Sequence, residues 1–159
     1  ERELRQMERE VIYSGETSEV YLLQYFISGV VAVEATSAKE GARLLERIFA
    51  TLPVKEGEQE PMVNILCWFE PSESKDKAGV FTTLIFLRDK HRPSHYFAEG
   101  DNNILLSPAS VDLGGVLITP LEKDFVKIGE REIREIFEEI CTGREELPVI
   151  ADKIKKALL

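Results

Sequence analysis

The chain has 159 residues, 29 acidic against 20 basic, for a formal charge of −9. That length suits one domain with a core of its own, and the negative surface repels nucleic acid and anionic membranes, so an anionic ligand has to find a local cationic pocket. Two cysteines, Cys67 and Cys141, without CxxC spacing exclude a disulfide framework and point to a reduced, cytoplasmic protein. Apolar runs fall short of the ~20 residues a membrane span needs, and no signal peptide is visible.

In chain order, Glu1–Glu10 is a charged run that reads as a helical turn or two and resembles the tail of a preceding segment. We expect one domain over residues 1–159, forming the C-terminal part of a longer protein. Val11–Ala35, rich in Tyr, Val, Ile and Phe with a Ser28-Gly29 break, predicts two or three antiparallel strands. Ser37 and Glu40 form a capping-box pattern, and Leu44, Leu45, Ile48, Phe49 and Leu52 recur at helical spacing until Pro53. Met62–Phe69 and Val80–Leu87 are apolar runs of strand length joined by turn chemistry, expected to pair as the central hairpin.

Beyond them, Ser107-Pro108 has the residues of a helix start and Gly114-Gly115 of its end. Val116–Thr119 predicts a short strand. Thr119, Pro120 and Glu122 repeat the capping logic before Phe125. Ile133, Ile136, Phe137 and Ile140 mark an amphipathic helix closed by Gly143, and a last helix runs from Pro148 to Leu158. Strands early and helices late give an α+β class: an antiparallel sheet flanked by helices, with helices concentrated at the C-terminus.

The chemistry concentrates between Arg88 and Pro120. Arg88, Lys90 and Arg92 alternate directly after a β-like run, so an extended backbone turns all three to one side, where they suit a phosphorylated ligand; the same pattern also suits a charged, aggregation-resistant edge strand. His91 and His95 are four apart, but the intervening Pro93 breaks the helix that a shared metal site needs, and on an extended chain they stand roughly 13 Å apart. Either imidazole has the chemistry of a nucleophile or general acid, although a histidine satisfied within the fold is the simpler reading. Asp89, Glu99, Asp101 and Asp112 supply acids around the segment. Ser107 suits a cap better than a nucleophile, Trp68 suits the core better than base stacking, and Glu130–Glu139 reads as a solvated face.

The stretch 104–125, ILLSPASVDLGGVLITPLEKDF, resembles the distal half of the GDP-hexose phosphorylases of GDP-L-galactose type, within the histidine-triad (HIT-like) superfamily. From about Val20 onward the chain is still more similar to a bacterial family of that superfamily, through KHRPSHYF (Lys90–Phe97) and LPVKEGEQEPMVNILCWFE (Leu52–Glu70). The resemblance implies a HIT-like antiparallel sheet flanked by helices. It also implies nucleotidyl transfer or phosphorolysis, in which a histidine takes the nucleotide from a nucleoside diphosphate sugar.

The superfamily's His-x-His-x-His or His-x-His-x-Gln strand is absent, and His91-Arg92-Pro93-Ser94-His95 departs from it, so no catalytic residue is carried over. On this reading the nucleophile comes from a preceding segment and the present residues alone are inactive. Arg88, Lys90, His91, Arg92 and His95 would then contact phosphate or nucleotide, with Asp112 and Gly115 shaping the turn beside it. No metal and no cofactor is implied. The expected partner is a nucleotide or nucleotide sugar, with a homodimer left open. The alternative is a catalytically inactive domain that keeps the fold for ligand binding or dimerisation.

Overall fold

The computed structural model describes residues 8–25, 27–74 and 76–159. Its centre is a five-stranded antiparallel sheet in the order β1-β2-β3-β5-β4, formed by β1 (Arg9–Ser14), β2 (Ser18–Tyr25), β3 (Ser28–Ala35), β4 (Val63–Glu70) and β5 (Val80–Leu87). Helix α1 (Ala38–Phe49) carries the chain from β3 to β4, while α2 (Ser94–Phe97), α3 (Ser110–Leu113), α4 (Glu122–Lys127), α5 (Glu130–Ile140) and α6 (Leu147–Leu158) all follow the sheet. The fold is therefore α+β with its helices concentrated in the C-terminal half. The first part of the expected N-terminal helix, Glu1–Met7, lies outside the described residues, and from Arg9 the chain is already strand.

The central strands are buried on both faces, which is why their sequences read as continuous apolar runs rather than alternating ones. One face of the sheet packs Val20, Leu22, Val31, Val33, Ile85 and Leu87 against Leu44 and Ile48 of α1 and Leu147, Ile150, Ile154 and Leu158 of α6. The other face packs Leu23, Val30, Ala32, Leu84 and Phe86 against Leu113, Phe137, Ile140 and Cys141. Each fully buried aliphatic or aromatic side chain contributes about 1.5–3 kcal/mol, so this double cover is the main source of stability. Ser37 caps α1 by accepting a hydrogen bond from the Glu40 amide at 3.2 Å. The Arg47 guanidinium of α1 donates to the Leu158 carbonyl, satisfying the C-terminus of α6.

The β4–β5 hairpin does form, in full register from Val63↔Leu87 to Glu70↔Val80, but it is not central. β5 lies next to β3, and β4 is the sheet's edge. The burial patterns give the reason: β5 is buried along most of its length, whereas Ile65, Cys67 and Phe69 of β4 are exposed. The anticipated strand Val116–Thr119 is also not formed. Among the described residues no strand pairs with it, Val116 and Ile118 are 62% and 60% exposed, and the Ile118 amide is held instead by the Asp112 carboxylate. A β-branched run without a partner ladder has nothing to pair with.

Two helix starts shift for related reasons. Helix α3 begins at Ser110 rather than Ser107, because the Asp112 carboxylate reaches back to the Ala109 amide at 2.7 Å while the Pro108 carbonyl is bonded elsewhere. Helix α4 begins after Leu121 rather than at Thr119.

Candidate functional site

The exit of β5 builds the site. Arg88 forms an isolated antiparallel bridge with Cys141, the Asp89 amide donates to the Ile140 carbonyl at 2.7 Å, and the Thr142 amide donates to Leu87. The strand therefore stops at Leu87, and the chain bends where sequence alone suggested continued extension. The bend overturns the expectation that Arg88, Lys90 and Arg92 project side by side from a strand.

Arg88 turns inward, only 8% exposed. Its guanidinium uses all five N–H donors: Nε and Nη2 on the Lys90 carbonyl, Nη2 also on His91, and Nη1 on the Asn64 side-chain oxygen and the Pro108 carbonyl. All of these acceptors are neutral. Burial pushes the guanidinium's pKa down, while the Cys141 sulfur and the Asp112 carboxylate act in the opposite direction; arginine stays charged regardless. The result is a buried cation with no hydrogen-bonded carboxylate, which ties the strand exit to β4 and to the 107–109 segment.

In front of it opens a pocket of about 720 Å³, lined by Asn64, Arg88, Lys90, His91, Arg92, Phe97, Ser107, Pro108 and Ala109. The structure thus gathers four of the residues singled out from sequence into one concavity. Lys90 reaches Glu139 at 2.8 Å and is 55% exposed. His91 is 72% exposed, with Nε2 3.5 Å from Glu58. The Arg92 guanidinium lies over the Tyr96 ring, 4.4 Å from its centroid. Ser107 donates its hydroxyl to the His91 carbonyl at 3.3 Å, bracing the same turn rather than starting a helix.

His95 goes elsewhere. It lines a separate pocket of about 250 Å³ between α2 and α5, with Ser94, Lys127, Arg131, Glu132 and Glu135 among its walls. Its Nε2 is 3.4 Å from Glu135, and its buried Nδ1 has no hydrogen-bond partner. Asp112 and Gly115 line neither pocket. The Asp112 carboxylate accepts from the Ala109 and Ile118 amides, so it acts on the larger pocket only through the backbone of Ala109. Gly115 has φ +100°, a conformation that suits glycine, with open space where a Cβ would stand.

Glu139 organises the pocket's rim. Its carboxylate takes the Lys90 ammonium and both the amide and the hydroxyl of Ser94, each at 2.8 Å. Burial opposes ionisation, but these donors outweigh it and hold the carboxyl down at about 2. Asn64, Phe97, Pro108, Ala109 and Glu139 were not singled out from the sequence as site residues. The one signal for them is Asn64, a lone amide inside the apolar run of β4. Among the described residues, no three His, Cys, Asp or Glu side chains are grouped to hold a metal ion. No helix among them is long and apolar enough to cross a membrane.

Comparison of the chain with protein-family models, curated proteins and solved structures finds no match.

Proposed function

We propose that the pocket in front of Arg88 binds the phosphates of a nucleotide or nucleoside diphosphate sugar. In this reading the chain is the ligand-holding part of a HIT-like nucleotidyltransferase or phosphorylase, whose histidine nucleophile comes from a preceding segment. The observation that carries the proposal is the buried, carboxylate-free guanidinium of Arg88 at the back of an open pocket whose mouth also carries Lys90, His91 and Arg92. Because its donors are already used, Arg88 attracts an anion through charge alone. At about 6 Å and an effective dielectric of about 20 this amounts to roughly 3 kcal/mol. Arg92 has no carboxylate in its described contacts, so it is the residue to provide a direct charge-assisted bond.

The reaction itself is tested by supplying the intact protein with nucleoside diphosphate hexoses and inorganic phosphate and following release of hexose 1-phosphate. Binding is tested by titrating pyrophosphate and nucleoside diphosphates at low salt into wild type and Arg92→Ala. A charge-assisted contact of about 1.5–3 kcal/mol predicts at least a tenfold loss of affinity. Unchanged affinity removes Arg92 from the site, and no binding to wild type removes the pocket reading.

A second reading, a non-enzymatic domain that associates with a second copy, is favoured by β4. The Arg88 amide donates to the Met62 carbonyl, so the even-numbered residues of β4 bond to β5, and Val63, Ile65, Cys67 and Phe69 direct their N–H and C=O groups to the open edge. That edge is uncharged and, apart from Asn64, apolar from Val63 to Phe69, which makes it a template for antiparallel self-pairing. Sedimentation should then show a dimer that Ile65→Lys dissociates. A monomer at every concentration refutes this reading.

A further inference from the structure

The pocket's lining is of two chemical kinds. Lys90 and Arg92 supply cations, with the His91 imidazole between them in sequence; Phe97, Pro108 and Ala109 supply apolar surface. Phe97 ends a four-residue helix and is 69% exposed, although burying a phenylalanine is normally favourable. Its ring is braced all the same. Tyr96 meets it edge-on with centroids 5.1 Å apart and planes at 71°, and Arg92 covers the Tyr96 ring. Arg92, Tyr96 and Phe97 are therefore one stacked unit, and both of its ends, Arg92 and Phe97, line the pocket.

From this we infer that Phe97 is a stacking platform for a planar base, so the ligand class of this site is a nucleotide rather than a sugar phosphate or inorganic phosphate. The inference rests on the proposed anion pocket and deepens it. A volume of about 720 Å³ lies in the range of small-molecule sites and greatly exceeds what a phosphate group needs. Stacking on a phenylalanine face accepts every base, because every base has a π surface. The site therefore favours purines over pyrimidines by ring size and discriminates little between guanine and adenine.

The experiment titrates GDP, ADP, UDP, pyrophosphate and glucose 1-phosphate into wild type, Phe97→Ala and Phe97→Trp at one low salt concentration. Base stacking of about 1–3 kcal/mol corresponds to a preference of about fivefold or more for the nucleoside diphosphates over pyrophosphate in wild type. Phe97→Ala should bring the nucleotides down to the affinity of pyrophosphate and leave pyrophosphate itself unchanged, while Phe97→Trp keeps the preference. Because the ring is exposed, neither substitution threatens folding, and unchanged melting temperatures check this. Pyrophosphate binding with no nucleotide preference, or a preference that survives Phe97→Ala, overturns the platform while leaving the anion pocket standing. Failure of every ligand to bind overturns both.

Discussion

Replacing Arg88 separates a structural clamp from a ligand contact, because the two roles predict opposite readouts. Arg88→Ala removes the guanidinium from four acceptors: the Asn64 side-chain oxygen and the carbonyls of Lys90, His91 and Pro108. A buried acceptor left unsatisfied costs about 1–3 kcal/mol. Lys90 and His91 are exposed residues whose carbonyls regain water, and the His91 carbonyl also keeps the Ser107 hydroxyl, so most of the loss falls on Pro108 and Asn64. Removing a desolvated cation returns part of it. The net expectation is a destabilisation of about 3–4 kcal/mol, a fall in melting temperature of about 6–16 °C for a chain of this size.

Urea denaturation of wild type, Arg88→Ala and Arg88→Lys measures it, with an unchanged slope showing that stability alone has moved. Lysine keeps the charge but its three donors sit on one atom and cannot span four dispersed acceptors, so Arg88→Lys should recover less than half of the loss. A destabilisation by Arg88→Ala below about 1 kcal/mol would refute the clamp.

Other outcomes follow from local geometry. Glu139, with its carboxyl held down at about 2 against an ordinary 4.5, contributes stability that is complete above pH 4.5 and lost as pH falls from 4.5 towards 2. Screening at the exposed Lys90 end limits this to about 1 kcal/mol, so Glu139→Gln should cost that much at pH 7 and flatten the acid limb of the stability profile. A Cβ on Gly29 would clash with Cδ2 of the buried Leu147, so Gly29→Ala should destabilise by about 1–3 kcal/mol in thermal melts. At Gly115 no clash exists but φ is positive, and Gly115→Ala should cost about 1 kcal/mol through backbone strain alone.

What was legible in the sequence is what periodicity encodes. Of the residues that helical spacing singled out, Leu44, Ile48, Leu52, Ile136, Phe137 and Ile140 are buried and Leu45, Phe49 and Ile133 pack half-buried against the same core, because that spacing is itself the record of which side faces it. Strand order is a different kind of information. β4 and β5 are equally apolar over eight residues, and only the competition for a place beside β3 decides which becomes the edge.

The direction taken by Arg88 was hidden for a similar reason. Alternation predicts facing only while the backbone stays extended, and a bridge to Cys141, 53 positions later, ends the extension. His91 and His95 looked equivalent in sequence, yet Pro93 between them stands at the N-cap of α2, and the second imidazole lies towards α5. Phe97 carries no periodic signal, since a single exposed ring is ordinary until its neighbours are known.

The stitch between Arg88 and Cys141 has a thermodynamic corollary. Hairpins β1–β2 and β2–β3 close over a few residues, but joining positions 88 and 141 restricts a long intervening segment, an entropic charge of about 3.5 kcal/mol for a flexible loop of that size. The pocket therefore depends on a contact as remote in sequence as the β3–β5 pairing, made where the last turn of α5 reaches the strand exit. A chain cut short before that turn would lose the concavity together with the α6 cover on one face of the sheet.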